Sequence, residues 1–233
     1  MNKSIIKYVS IFYFSDNNGI KYLTKLNIDY NKIIKLILQK NGIENLKFLE
    51  YINFKELKEL DLYDNNISDI SVLEKVKFEK LEKLNLGDNK ISNINILENV
   101  NFKELKELYL YKNTISDISI LEKVKFEKIE KLDLGDNKIS NNINILENVN
   151  FKELKELDLY KNTISDISVL EKVKFEKLEK LNLAFNKISN NINILENVNF
   201  KELKELDLYI FIFRILIINI KNVRGRETRR KKR

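Results

Sequence analysis

Three tyrosines, Tyr63, Tyr111 and Tyr160, recur at intervals of 48 and 49 residues in a chain of 233. Asp61, Tyr109, Asp133 and Asp158 stand two positions before Tyr63, Tyr111, Gly135 and Tyr160, and Phe185 follows Ala184. Two kinds of chemistry could be built from such residues. Carboxylates can exchange protons, and phenols can anchor a partner through an apolar ring and a polar hydroxyl. Carboxylate catalysis of the glycosidase type needs a buried pair flanking a groove. Here the acids come singly, among charged neighbours. The chain has no His and no Cys, which removes imidazole and thiol nucleophile systems, haem ligation, zinc fingers and disulfide scaffolds. Its five glycines are scattered, and neither phosphate-binding glycine pattern occurs. We therefore expect no catalytic residue, no metal, no cofactor and no small-molecule substrate. The aromatics with the intervening acids are expected to meet a protein partner. Duplication of one tyrosine without a binding role accounts for the spacing equally well.

The elements that must position these residues come from an internal repeat. From Phe54 the chain reads FKELKELDLYDNNISDISVLEKVK and then FEKLEKLNLGDNKISNINILENVN; the pair returns at Phe102, at Phe151 and, in part, at Phe200. Each half carries L-x-x-L-x-L-x-x-N-x-I, led by Leu57, Leu81, Leu105, Ile129, Leu154, Leu178 and Leu203. The register extends back to Ile33, and weakly to Val9, Phe12, Phe14 and Asn17. Steps of 25 rather than 24 residues follow from one added Asn, at Asn141-Asn142 and Asn190-Asn191. Self-similarity at this period marks a solenoid, in which each unit buries its apolar face only against its neighbours.

The pattern closely resembles the leucine-rich repeat. The I-S-D-I-S-V-L segments from Ile67, Ile115 (with Ile120 for Val) and Ile164 are similar to the subclass found in nuclear regulators of protein phosphatase 1 and in bacterial internalins, although those repeats usually run two residues shorter. The resemblance covers about 33–209. It implies an α/β fold: a curved horseshoe with a parallel β-sheet on the concave face and short helical or 3-10 turns on the convex face. It also implies a non-enzymatic scaffold, such as a regulatory subunit, that binds a protein on its concave face. The alternatives are surface adhesion of the internalin type and tethering through a basic tail.

Within one repeat, Leu60 and Leu62 alternate with Glu59, Asp61 and Tyr63, the pattern of a strand with one buried face. Asn65 stands where the chain leaves the strand, and its amide can both donate to and accept from backbone groups there. Asn41, Asn89, Asn113, Asn137, Asn162 and Asn186 repeat it, forming an expected structural ladder. Ser71-Val-Leu-Glu74 has the form of a capping box and predicts one or two helical turns. Phe54, Phe78, Phe102, Phe126, Phe151, Phe175 and Phe200 are expected to form a core spine. The third position alternates Glu59, Lys83, Glu107, Lys131, Glu156 and Lys180, a cross-strand charge ladder. At the seventh, Tyr63, Tyr111 and Tyr160 alternate with Gly87, Gly135 and Ala184. Strands ~4.8 Å apart would space the phenols roughly every 10 Å, pointing to solvent.

The net charge of +7 lies wholly in residues 221–233, and the preceding 220 residues are neutral. Polyanion or membrane contact is therefore expected only through 221–233. The boundaries read 1–32, a degenerate repeat or cap; 33–209, the solenoid; 210–220, an apolar cap or register-broken segment; and 221–233, a basic, disordered tail. The break after Tyr209 fits a sealing strand, a membrane or nuclear-import tail, or translation of an intron or shifted frame. The apolar run Tyr8–Phe14 is short for a leader and fits the repeat. An intracellular monomer is expected, with secretion or surface display as the alternative.

Overall fold

The computed structural model describes residues 8–11, 29–188, 192–198 and 200–208. Tyr209, the 210–220 segment and the 221–233 tail lie outside these residues, as do Phe12, Phe14 and Asn17. The strands are β1 (Tyr8–Ile11), β2 (Ile33–Ile37), β3 (Glu59–Asp61), β4 (Lys83–Asn85), β5 (Glu107–Tyr109), β6 (Lys131–Asp133), β7 (Glu156–Asp158), β8 (Lys180–Asn182) and β9 (Glu205–Asp207). They form one parallel sheet in chain order. From β2 to β9 each strand pairs position for position with the next, as in Leu60 with Leu84 and Leu84 with Leu108. The β1–β2 register shifts between Tyr8 and Val9.

From β2 to β8 each strand is followed by a turn and a short 3-10 helix on the opposite side, such as Ser71–Glu74, Asn95–Glu98 and Ser119–Glu122. The sheet leucines and the isoleucines and leucines of these turns share one continuous core from Ile33 to Leu208. Phe54, Phe78 and Phe102 are buried and packed ring to ring, with centroids 6.1 and 6.3 Å apart. Phe126, Phe151 and Phe175 are buried at the equivalent places. Burying one such side chain is worth about 1.5–3 kcal/mol. Most of that burial is against neighbouring repeats, so a repeat taken alone would lose it.

The turns start differently from the capping-box expectation. Ser71 is the first helical residue, and the residue before it, Ile70, has no side chain that can cap. Instead Asp69 Oδ1 accepts the Ser71 backbone N–H at 2.8 Å, and Asp117 and Asp166 do the same for Ser119 and Ser168. In an alternate repeat Asn93 takes the place of the Asp. The N–H bonds draw the Asp69 and Asp117 carboxyls below their ordinary range. Glu74, Glu122 and Glu171 reach across to Asn99, Asn148 and Asn197 of the next repeat rather than back to their own helix. A tight one-turn 3-10 helix brings a residue two positions upstream closer to the free N–H than one three positions downstream.

Charged rows run along the outside of the stack. Glu82 binds both Lys58 and Lys106, and Lys155 and Lys204 bind Glu130 and Glu179. A second row pairs Glu56, Glu104 and Glu153 with Lys80, Lys128 and Lys177. Each exposed pair contributes at most about 1 kcal/mol. Their order matters more, because sliding one repeat past its neighbour would set lysine against lysine. The 48-residue pair, rather than the single repeat, is therefore the electrostatic unit.

Candidate aromatic and acidic concave face

The asparagine ladder holds the edge of the face in place. Asn65 Oδ1 accepts the N–H groups of Asn41 and Ile43, and its Nδ2 donates to the carbonyls of Leu38, Leu62 and Tyr63. Asn89, Asn113, Asn137 and Asn162 repeat the arrangement, spanning the preceding repeat and their own, and are buried. Asn186 makes the same bonds while partly exposed. Asn41, at the N-terminal end, is buried and donates to Gln39 O. One residue before this column the backbone turns left-handed, with φ near +50° to +58° at Asp64, Asp88, Lys112, Asp136, Lys161 and Phe185. Asp tolerates that region better than most side chains, whereas a bulky residue such as Phe185 is strained in it. Phe185 is also 41% exposed.

The fifth-position side chains serve the backbone as well as the surface. Asp61, Asn85, Asp133, Asp158 and Asn182 each accept, through Oδ1, the N–H two residues ahead, at 2.7–3.1 Å. Asp61 is only 6% exposed and also accepts a hydrogen bond from Gln39 Nε2. It belongs to the scaffold more than to an open surface. The D-L-Y and N-L-G spacing carried that signal, since an Asx side chain commonly holds the N–H two residues on.

The tyrosines differ from the expected row of evenly spaced, solvent-pointing rings. All three are half-buried. The Tyr111 ring lies over Gly87, where an added Cβ would come within 2.5–2.9 Å of it. It meets Tyr63 with centroids 5.9 Å apart, and Tyr109 stands edge-on to it at 6.5 Å. Burial pushes the Tyr111 phenol up to about 12, with Tyr63 and the nearby carboxylates adding to the effect. Tyr109 donates its hydroxyl to Glu107 at 2.8 Å, and the ammonium groups of Lys83 and Lys131 lie 5.1 and 5.4 Å from its ring centroid. Tyr160 instead meets Phe185, edge-on at 5.2 Å. Two aromatic groups result, one over β3–β5 and one over β7–β8. The missing methyl at Gly87 permits the first to close.

Between and beyond these groups the face is acidic. Asp133 and Asp158 are direct partners in β6 and β7. Burial, then the charge of Asp158, pushes Asp133 up to about 6 against the Gly135 N–H bond that lowers it. Asp158 is raised too, by burial and by Asp207. A concavity of about 130 Å³ over β6–β9 is lined by five carboxylates and two lysines. The third-position lysines there pair with glutamates: Lys131 with Glu156 at 2.7 Å, and Lys180 with Glu156 and Glu205 at 3.8 and 3.6 Å. Earlier along the sheet the charge ladder runs as separate pairs, Lys35–Glu59 and Lys83–Glu107. Among the described residues no group of three or more acids is arranged to hold a metal ion, and no helix is long and apolar enough to cross a membrane.

Residues 79–123 match the family model described as two copies of the leucine-rich repeat, and residues 176–192 match a single-repeat model. No curated protein matches the sequence. Among solved structures, internalin C2 of Listeria monocytogenes is 24% identical with a TM-score of 0.58, covering 82% of this chain and 91% of its own. A leucine-rich repeat protein of Leptospira interrogans is 26% identical with a TM-score of 0.63, over 82% of this chain and 46% of its own. A plant peptide hormone receptor, solved in complex with RGF2, is 19% identical with a TM-score of 0.56, over 76% of this chain and 28% of its own.

Proposed function

We propose that this leucine-rich repeat protein, internalin-like in its fold, is a non-enzymatic scaffold that binds a protein partner on its concave face. The observation that carries the reading is the Tyr63–Tyr109–Tyr111 group together with Tyr160–Phe185, held on the concave sheet by the buried asparagine ladder. Rigid aromatics with polar rims are what protein interfaces use as anchors. The ladder carboxylates are tied to lysines, which suits a binding face better than proton transfer. A receptor of the same fold is solved with a peptide ligand, which accords with a polypeptide partner.

The test compares proteins captured by the full chain with those captured by a Tyr63→Ala/Tyr111→Ala/Tyr160→Ala variant. Because the rings are half-buried and in contact, each substitution should cost about 1 kcal/mol of stability. Capture is therefore run well below both melting temperatures. Specific partners should be lost from the variant and kept by a control carrying Glu79→Gln and Glu127→Gln, exposed residues off the strands. Retention of every partner by the tyrosine variant would remove the aromatic face from the binding reading.

A further inference from the structure

We propose that the β6–β9 end of the concave sheet, with Tyr160 and Phe185 beside it, docks an arginine-bearing segment of the partner protein. This deepens the protein-binding reading and rests on it. Asp133 and Asp158 face each other across adjacent strands, about 4.8 Å apart at strand spacing. Asp207 lies in the same row two strands further on. Among the described residues none of the three forms an ion pair, because the lysines of this region are taken by Glu156 and Glu205. Lys131 acts on Asp133 and Asp158 only from a distance, and Asn182 donates to Asp158 Oδ2 at 2.9 Å, yet burial and neighbouring acids still disfavour charge on these two carboxyls. A cation from outside would relieve both costs.

The aromatics indicate which cation. This face already sets ammonium groups against a ring, at Lys83 and Lys131 on Tyr109. At the acidic end the Tyr160–Phe185 pair provides an exposed aromatic edge next to the carboxylates. A guanidinium can stack on such a ring while its planar fork donates two hydrogen bonds to a carboxylate, which an ammonium does less well. Asp158 and Asp207 are separated by two strand spacings, about 10 Å. Two arginines three residues apart in an extended segment span the same distance, at about 3.3 Å per residue.

The experiment uses the full chain and a fluorescein-labelled Gly/Ser peptide carrying two arginines three residues apart. Binding is read by fluorescence anisotropy at neutral pH and low salt. The same peptide with citrulline, lysine or glutamate replacing arginine provides the comparison. The arginine peptide should bind best, lysine less well, and citrulline and glutamate barely. Asp133→Asn/Asp158→Asn should weaken the arginine peptide at least roughly tenfold. Asn already occupies the fifth position at Asn85 and Asn182 with the same backbone bond, so the fold should survive, as a melting curve verifies. Equal binding of arginine and citrulline peptides, or undiminished binding by the double variant, overturns the proposal. Binding that appears only after Arg224, Arg226, Arg229, Arg230 and Arg233 are replaced with Gln assigns the face to the chain's own basic segment, and overturns it too. Loss of arginine selectivity while tyrosine-dependent capture persists would sink this inference and leave the broader reading standing.

Discussion

Replacing Asp133 with Asn should stabilise the protein at neutral pH, although it removes a charge from the face proposed for binding. The carboxyl is half-buried and lies opposite Asp158 in the next strand. Its pKa rises from the ordinary 3.8 to about 6, first through burial and then through its acidic neighbour. The folded state therefore holds the proton more tightly than the unfolded state does, and ionisation costs stability. The cost is absent below about pH 4, grows between 4 and 6, and is fully present above 6. One pH unit is worth about 1.4 kcal/mol, so the shift sets an upper bound near 3 kcal/mol. Solvent at the exposed edge screens part of this, leaving about 1–2 kcal/mol. Asn keeps the acceptor for the Gly135 N–H, as Asn85 does for Gly87. Urea unfolding at a series of pH values should place the Asp133→Asn midpoint above wild type at pH 7.5, with the two curves converging near pH 4. A neutral or destabilising effect at pH 7.5 would refute the electrostatic reasoning. A gain that does not change with pH would refute it as well, since it would have to come from packing rather than charge.

Two further outcomes follow from the scaffold and the aromatic group. Asn113→Ala should cost about 1–3 kcal/mol in chemical unfolding, because it leaves the buried Ile91 N–H without its acceptor and takes one of two donors from each of the carbonyls of Leu86, Leu110 and Tyr111; a loss under about 0.5 kcal/mol would mean water replaces the amide. Gly87→Ala should push the Tyr111 ring off its seat, so that one phenol falls from about 12 toward 10 in an ultraviolet titration. Gly135→Ala, whose nearest atoms are carboxylate oxygens at 3.2–3.3 Å, should leave that titration unchanged.

The repeat alone determined the solenoid. A side chain every second residue over Leu60 and Leu62, an Asn at the exit and a 24-residue period admit one way of burying the leucines, and the strand register follows from it. The third-position ladder was equally legible, because parallel in-register strands set equivalent positions side by side. What tertiary structure decided was where side chains turn once they leave the strand. Spacing places Tyr63 and Tyr111 two strands apart, but only the bare backbone at Gly87 lets Tyr111 lean across and meet Tyr63. The same period set Tyr160 above another small residue, yet it turned toward Phe185. The helix starts were misplaced for a related reason: S-x-x-E presumes an α-helical first turn, whereas these turns are 3-10 and use the aspartate two residues earlier. Period and alternation are properties of the backbone and can be read in one dimension. Rotamers, burial and the mutual repulsion of Asp133 and Asp158 depend on what the neighbouring repeats leave room for, and exist only once those repeats are stacked.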